Sequence, residues 1–202
     1  MIGAFRSNRR VYRVGGVLVL LILGVLWYNR DSATGQRKFE ALCKEEGGYR
    51  VYERLEKNVG WIVDEPIAGQ SSDRYRRPFS FGHVAFVRVP DKQGKWFDAV
   101  RDPDRPGKFI LAPADETRPV RYHYRSVRRV FPDDERFQRN QELITDLASG
   151  KRAASFTFFY FEWTKPENVI LHAPTSQSCK LEPGIYDRFA RALYAGPQTS
   201  TE

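Results

Sequence analysis

The feature that most constrains this chain is an apolar run near its N-terminus, VGGVLVLLILGVLWY, from Val14 to Tyr28. Four arginines and no acidic residue precede it in residues 1–13. A basic segment followed by an apolar run is typical of a sequence that enters a membrane. We therefore expect residues 1–13 to be a cytoplasmic basic N-terminus and residues 14–28 to be a transmembrane signal anchor.

The length of the apolar run leaves two interpretations open. Fifteen helical residues rise about 22 Å, whereas the hydrocarbon core of a bilayer is about 30 Å thick. The span lengthens if Arg13 extends its guanidinium back to the headgroups, and Trp27 and Tyr28 then lie where interfacial aromatic residues are expected. The alternative is a signal peptide cleaved before Gln36, where a small-x-small motif stands.

The cysteines and the N-terminal charge together predict a compartment. The arginines favour a cytoplasmic N-terminus, with the rest of the chain exported. Cys43 and Cys179 are the only cysteines, and an even pair in an exported chain predicts one disulfide bond. The alternative is two buried, unrelated thiols. We expect a single-pass protein of a bacterial inner membrane with its C-terminal domain in the periplasm.

The net charge of +8 invites a nucleic-acid interpretation. Four of the 33 basic residues, and none of the 25 acidic ones, lie in residues 1–13. The remaining 29 basic residues face 25 acidic residues, so the rest of the chain carries only +4. Its charges are mixed along the sequence, as on an ordinary solvated surface. We expect no nucleic-acid partner.

The remainder of the chain reads as a short linker at 29–35, a single domain at 36–197 and a disordered tail at 198–202. Residues 36–46 have helical spacing and end at two glycines. Residues 182–194 form a second helix, with a proline near its start and Gly-Pro after its end. We expect an α+β domain in which both helices pack on one face of an antiparallel sheet.

The strands of that sheet are predicted from alternation and turn signals, at 81–89, 96–100, 120–129, 137–147 and 153–163. Residues 137–147 have a mixed pattern. They precede the hairpin turn Ala148–Lys151, so they are assigned as the partner strand of 153–163.

The strand at 153–163 has aromatic residues on both faces. Such a strand is central and covered on both sides, or it presents one face to a partner. The face with Phe159, Phe161 and Trp163 is therefore either core or a groove for a partner helix or strand.

The candidate binding residues are Arg121, His123 and Arg125, which alternate with tyrosines along one strand. Arginine side chains at strand spacing can bind carboxylates or phosphates through two parallel hydrogen bonds. Arg128, Arg129 and a group at positions 74, 76 and 77 are possible additions. The alternative is a solvent-facing row paired with acidic residues of neighbouring strands.

No motif predicts catalysis, and we expect neither a metal nor a cofactor. The histidines at 83, 123 and 172 lack ligand spacing. The sequence Asp102-x-Asp104-x-x-Gly107 lacks the further acidic ligands of a calcium loop and is read as a turn. Cys43 could act as a nucleophile only outside a disulfide.

These observations predict a non-catalytic, membrane-anchored envelope accessory protein that binds a protein partner through its periplasmic domain. One alternative is an envelope hydrolase whose site assembles only in the fold. Another is a binder of anionic ligands that uses the arginine row.

Overall fold

The computed structural model describes residues 5–65, 75–162, 176–179 and 182–200, and within the first helix it describes the side chains of residues 15–20, 22–24 and 33–46. The fold is mixed α+β and is dominated by one large sheet. In chain order the elements are α1 (Phe5–Glu46), β1 (Gly48–Val51), β2 (Val59–Val63), α2 (Arg77–Ser80), β3 (Val84–Pro90), β4 (Trp96–Arg101), β5 (Phe109–Pro113), β6 (Val120–Phe131), β7 (Asp134–Asp146), β8 (Arg152–Glu162), β9 (Ser176–Ser178), α3 (Ile185–Ala195) and β10 (Gln198–Thr199).

Helix α1 is continuous over 42 residues, so the expected anchor, the expected linker at 29–35 and the helix at 36–46 form one element. Its C-terminal part enters the fold at Gly35, where an added Cβ would lie 2.7 Å from the ring of Phe161. Phe39 and Cys43, one and two turns further on, are buried. Within the residues that the structure describes, we find no helix long and apolar enough to cross a membrane.

The ten strands of the described residues form one sheet in the order β10-β1-β8-β7-β6-β2-β3-β4-β5, and β9 pairs with the far end of β8. The expectation of a purely antiparallel sheet is wrong at β2, which runs parallel to both β3 and β6. The connection from Asp64 to His83 permits the parallel pairing of β2 with β3, because it exceeds the dozen or so residues that a parallel crossover needs.

The hairpins agree with the sequence. Strands β3 and β4 pair across the turn at Asp91–Lys95, and β4 pairs with β5. Strand β7 includes residues 137–146 of the strand that was predicted from the following hairpin turn, Ala148–Lys151, and it pairs with β6 and with β8. The expected tail differs, because Gln198 and Thr199 form β10 against β1.

Strand β8 is covered on both faces by different helices. Phe156 packs against Tyr186 and Phe189 of α3, whereas Phe161 stacks on Phe39 of α1. Because successive side chains of a strand point to opposite faces, the two helices lie on opposite sides of the sheet. The expectation that both helices cover one face is therefore wrong.

The aromatic face of β8 belongs to the core where it is described. Phe159 and Phe161 are fully buried, in a cluster with Phe39, Phe137 and the two cysteines. Trp163, the third member of that face, lies outside the described residues. A larger cluster on the opposite face includes Trp61, Tyr122, Phe156 and Phe189.

A disulfide joins Cys43 of α1 to Cys179, which directly follows β9. Their Cα atoms are 5.6 Å apart, and the bridge links positions 136 residues apart in the sequence. The predicted pairing is confirmed, and it joins α1 to the edge of β8 that β9 occupies.

Candidate functional site

Strand β6 separates its side chains as the sequence pattern predicts. Tyr122 and Tyr124 are buried in the core, and Arg121, His123 and Arg125 project from the opposite face of the sheet. The sheet places β6 between β2 and β7, so acidic residues at the ends of both neighbours come within reach of this row.

Arg121 is held by two carboxylates. Its Nη2 donates to Asp146 Oδ2 at 3.0 Å and lies 3.4 Å from Glu56 Oε1. Burial acts to raise the pKa of Asp146, but hydrogen bonds from the turn at Ala148 and Ser149, together with Arg121, bring that pKa below its usual value. Asp146 therefore ties the start of β6 to the β7–β8 turn.

His123 and Arg125 share one carboxylate. His123 Nε2 lies 2.8 Å from Asp64 Oδ2, and Arg125 Nη2 donates to the same oxygen at 3.0 Å. Arg121, His123 and Arg125 thus all lie next to acidic side chains. This agrees with the alternative interpretation, in which the row faces solvent and pairs with acidic residues. The arrangement offers an incoming anion little unopposed positive charge.

The additional arginines do not join this row. Arg128 donates to Gln138 on the other face of β6, and Arg76 stacks on Phe109. Arg77 makes a two-pronged contact with Glu142, at 3.0 and 3.1 Å. Position 74 lies outside the described residues.

The Arg77–Glu142 pair anchors the short helix α2 to the sheet. Burial raises the pKa of Glu142, and Arg77 opposes that rise by favouring the ionised form. The Arg77 guanidinium also lies 4.4 Å from the centre of the Tyr186 ring on α3. This buried pair therefore links α2, β7 and α3.

A cleft of about 620 Å³ opens beside Arg121, at the end of the sheet where β2 and β6 begin. Its apolar lining residues include Val59, Phe86, Pro119, Val120 and Leu147. Its charged lining residues are Glu56, Arg118 and Arg121.

One lining residue of the cleft, Gly60, has to be a glycine. An added Cβ at Gly60 would lie 2.2 Å from the ring of Phe86 and 2.8 Å from the carbonyl oxygen of Pro119. Above that ring, the Arg118 guanidinium lies 3.9 Å from its centre. The Phe86 ring is thus almost wholly buried, covered by the Arg118 guanidinium and packed against Gly60.

Sequence reasoning identified Arg121 but missed Phe86, Arg118 and Glu56. The available signal was Gly60, because a glycine inside a strand often marks close approach of another group. The parallel pairing of β2, which brings these residues together, had no signature in the sequence.

Both guanidiniums of the cleft already face carboxylates, because Arg121 contacts Asp146 and Glu56 and Arg118 lies 3.8 Å from Asp98. The cleft therefore suits an apolar group rather than an anion.

The histidines occupy separate places. His83 lies in a smaller cleft with its ring edge-on to Tyr194, 5.0 Å between ring centres, and His123 pairs with Asp64. His172 lies outside the described residues. Among the residues that are described, no group of three His, Cys, Asp or Glu side chains is placed to hold a metal ion.

No protein family, curated protein or solved structure matches this chain.

Proposed function

We propose that this chain is a single-pass, membrane-anchored accessory protein of the bacterial envelope, whose periplasmic domain binds a protein partner without catalysis. The observation that carries the proposal is the continuity of α1. One helix bears the apolar run at its N-terminal part and is disulfide-bonded into the core at its C-terminal part.

The exposure of α1 supports a lipid environment. Six large apolar side chains between positions 17 and 23 are 50% to 70% exposed. Successive helical residues are separated by about 100°, so these side chains point in all directions around the helix axis. A helix that is apolar all round suits surrounding lipid better than a groove on one side.

The position of the cleft supports a binding role. Helix α1 enters the fold beside Phe161, at the end of the sheet that holds the β6–β7 turn. The cleft beside Arg121 lies at the other end of β6, about 30 Å away at 3.3 Å per residue. On this proposal the cleft faces away from the bilayer and accepts an apolar side chain of the partner.

The experiment is membrane extraction of the full chain expressed in a Gram-negative bacterium. The wild type should stay in the membrane fraction after alkaline carbonate washing, and its domain should be digested by protease only after the outer membrane is opened. Leu20→Arg together with Ile22→Arg should release the protein, since each Arg near a helix centre costs about 3 kcal/mol of insertion free energy.

A control is Ala33→Arg, which adds one arginine at an exposed position of the same helix beyond the apolar run. It should leave the protein in the membrane. Release of the wild type by carbonate, or equal behaviour of all three proteins, would refute the anchor. Protection of the domain from protease in spheroplasts would refute its periplasmic location.

A second candidate function, an envelope hydrolase, is favoured by one observation, the 2.8 Å contact between His123 and Asp64. A carboxylate close to a histidine is part of many hydrolytic sites, although His123 Nε2 makes no hydrogen bond to Asp64. In the described part of the chain, no hydroxyl or thiol is hydrogen-bonded to His123. Hydrolysis of ester or amide model substrates that is lost in His123→Gln would establish this alternative.

A further inference from the structure

Strand β5 forms one edge of the sheet, and in the described part of the chain it pairs with β4 alone. Its residues, FILAP, carry no charge, and Ile110 and Leu111 are 42% and 43% exposed. The opposite edge of the sheet, β10, consists of two exposed polar residues. Exposed edge strands usually carry charged side chains that prevent pairing with another chain. An uncharged apolar edge therefore indicates an interaction surface.

The backbone of β5 has hydrogen-bonding groups that point away from β4. Main-chain bonds join position 114 to 96 at 3.1 Å and position 102 to 108 at 3.0 Å. Because residues of an antiparallel strand alternate in the direction of their backbone groups, positions 108, 110, 112 and 114 face β4. Phe109 and Leu111 therefore direct both N–H and C=O outward, and Pro113 directs only a C=O outward.

This outward pattern is complementary to itself. If a second β5 lies antiparallel with Leu111 opposite Leu111, each Leu111 N–H donates to the C=O of the other Leu111. In the same register, each Phe109 N–H donates to the C=O of Pro113 in the other copy. Every outward N–H of β5 then has an acceptor, and the bonds between β4 and β5 stay as they are.

The side chains continue the core across the same axis. Val87, Ala99 and Leu111 are direct partners across β3, β4 and β5. Val87 and Ala99 are fully buried, whereas Leu111 ends this row at the exposed edge. Side chains directly opposite each other in an antiparallel pair have Cβ atoms about 4.5–5.5 Å apart. A second Leu111 would therefore cover the first and continue the row into the core of the other copy.

The charges beside β5 favour an antiparallel arrangement. The strand follows the exposed Lys108 and precedes Asp115 and Glu116, which are also exposed. Two hydrogen bonds from Thr117 to the Asp115 carboxylate hold the pKa of that carboxyl below its usual value, so it is negatively charged. Antiparallel pairing brings the basic start of each strand near the acidic end of the other. Parallel pairing would bring like charges together.

We propose that this chain forms a two-fold symmetric homodimer through β5, which joins the two sheets into one continuous sheet with Leu111 on the symmetry axis. The proposal does not rest on the anchor or on the cleft beside Arg121. Its basis is the self-complementary backbone pattern of β5, together with the exposed end of the core row and the charges that flank the strand.

This dimer is compatible with two copies in one bilayer. Neighbouring strands of a sheet are rotated by about 20–25°, so the four steps from β6 to β5 turn the strand direction by about 80–100°. The symmetry axis is perpendicular to the sheet at β5 and therefore runs nearly parallel to β6. Rotation about that axis keeps the α1 end of both copies on the same side.

The first test is sedimentation velocity of the full chain in detergent. The wild type should form dimers at protein concentrations of about 10–100 μM. Leu111→Lys should weaken dimerisation at least about tenfold, because it places two like charges opposite each other on the axis. The matched control is Val130→Lys, since Val130 is 44% exposed on the distant strand β6 and should leave the dimer unchanged.

The second test determines the register by disulfide crosslinking, because both natural cysteines are already paired. Leu111→Cys should crosslink with itself on mild oxidation, since the Cα atoms of a hydrogen-bonded antiparallel pair are about 5.5 Å apart, within the range of a disulfide. The control Ile110→Cys is equally exposed. It should crosslink much more slowly, because its direct partner would be Ala112 of the other copy.

Three results would overturn the proposal. One is a wild type that stays monomeric up to about 100 μM, which would leave this edge to a different partner. Another is a dimer that Leu111→Lys does not weaken while the variant keeps its circular dichroism spectrum. The last is equal crosslinking of the two cysteine variants, which would contradict the register.

Discussion

The disulfide between Cys43 and Cys179 provides the most quantitative prediction. Replacing both residues with alanine removes a covalent link across 136 positions. In the chain-entropy description, a loop of that length restricts the unfolded state by about 5 kcal/mol at 25 °C. Measured effects are commonly about 2–4 kcal/mol, a large part of the 5–15 kcal/mol typical of a whole domain.

The bridge also holds α1 on the sheet. Cys43 and Cys179 are buried with Phe39, Phe159 and Phe161 in the smaller of the two core clusters. When the covalent link is absent, the packing of Phe39 and the close approach at Gly35 remain to hold this part of the helix. We therefore expect amide exchange in residues 36–46 to accelerate more in the double alanine variant than exchange in β6–β8.

The assay is urea unfolding of the full chain in detergent, followed by tryptophan fluorescence. With a slope of about 2 kcal/mol per molar urea, a loss of 2–4 kcal/mol lowers the midpoint by about 1–2 M. Reductant should lower the wild-type midpoint by a similar amount and leave the double variant unaffected. Equal midpoints for the two proteins without reductant would refute the argument.

Three further predictions concern the cleft, the arginine row and the buried ion pair. Gly60→Ala should destabilise the fold by about 1–3 kcal/mol, because its Cβ meets both a ring and a backbone carbonyl; an unchanged urea midpoint would contradict this packing. Arg121→Ala with Arg125→Ala should leave retention on heparin unchanged, because both guanidiniums are engaged by carboxylates; clearly earlier elution would restore the anion-binding hypothesis. Burial raises the pKa of Glu142, so its contribution to the free energy of unfolding is greatest below the unfolded pKa of about 4.3 and falls as pH rises toward the folded value. Glu142→Gln should flatten that decline in urea midpoints measured upward from about pH 4.3, whereas the exposed control Glu135→Gln should keep it.

Local patterns in the sequence predicted much of the sheet. Alternation along residues 120–129 predicted Tyr122 and Tyr124 on the buried face and Arg121 on the opposite face, as the structure shows. The turn at Ala148–Lys151 assigned β7 correctly although its own composition was ambiguous. Strand alternation and hairpin turns depend on residues that are close together in the chain, so they can be recognised in a single sequence.

Long-range arrangement was the part that the sequence did not reveal. The parallel pairing of β2 depends on a crossover whose path no residue pattern specifies. Because β8 has aromatic residues on both faces, each face was expected to pack against another element. The sequence did not indicate which helix would lie on which face. The cleft beside Arg121 combines residues from four separate segments, so only its glycine had a local signal.

The measurement that tests the central claim most directly is the intact mass of the protein isolated from bacterial membranes, with free thiols alkylated and no reductant added. We predict the full-length mass without alkylation, as expected for an anchored, disulfide-closed and exported domain. The mass of a chain that begins at Gln36 would identify a cleaved, secreted protein. Alkylation of both thiols would show that Cys43 and Cys179 are not disulfide-bonded, and it would contradict the exported location.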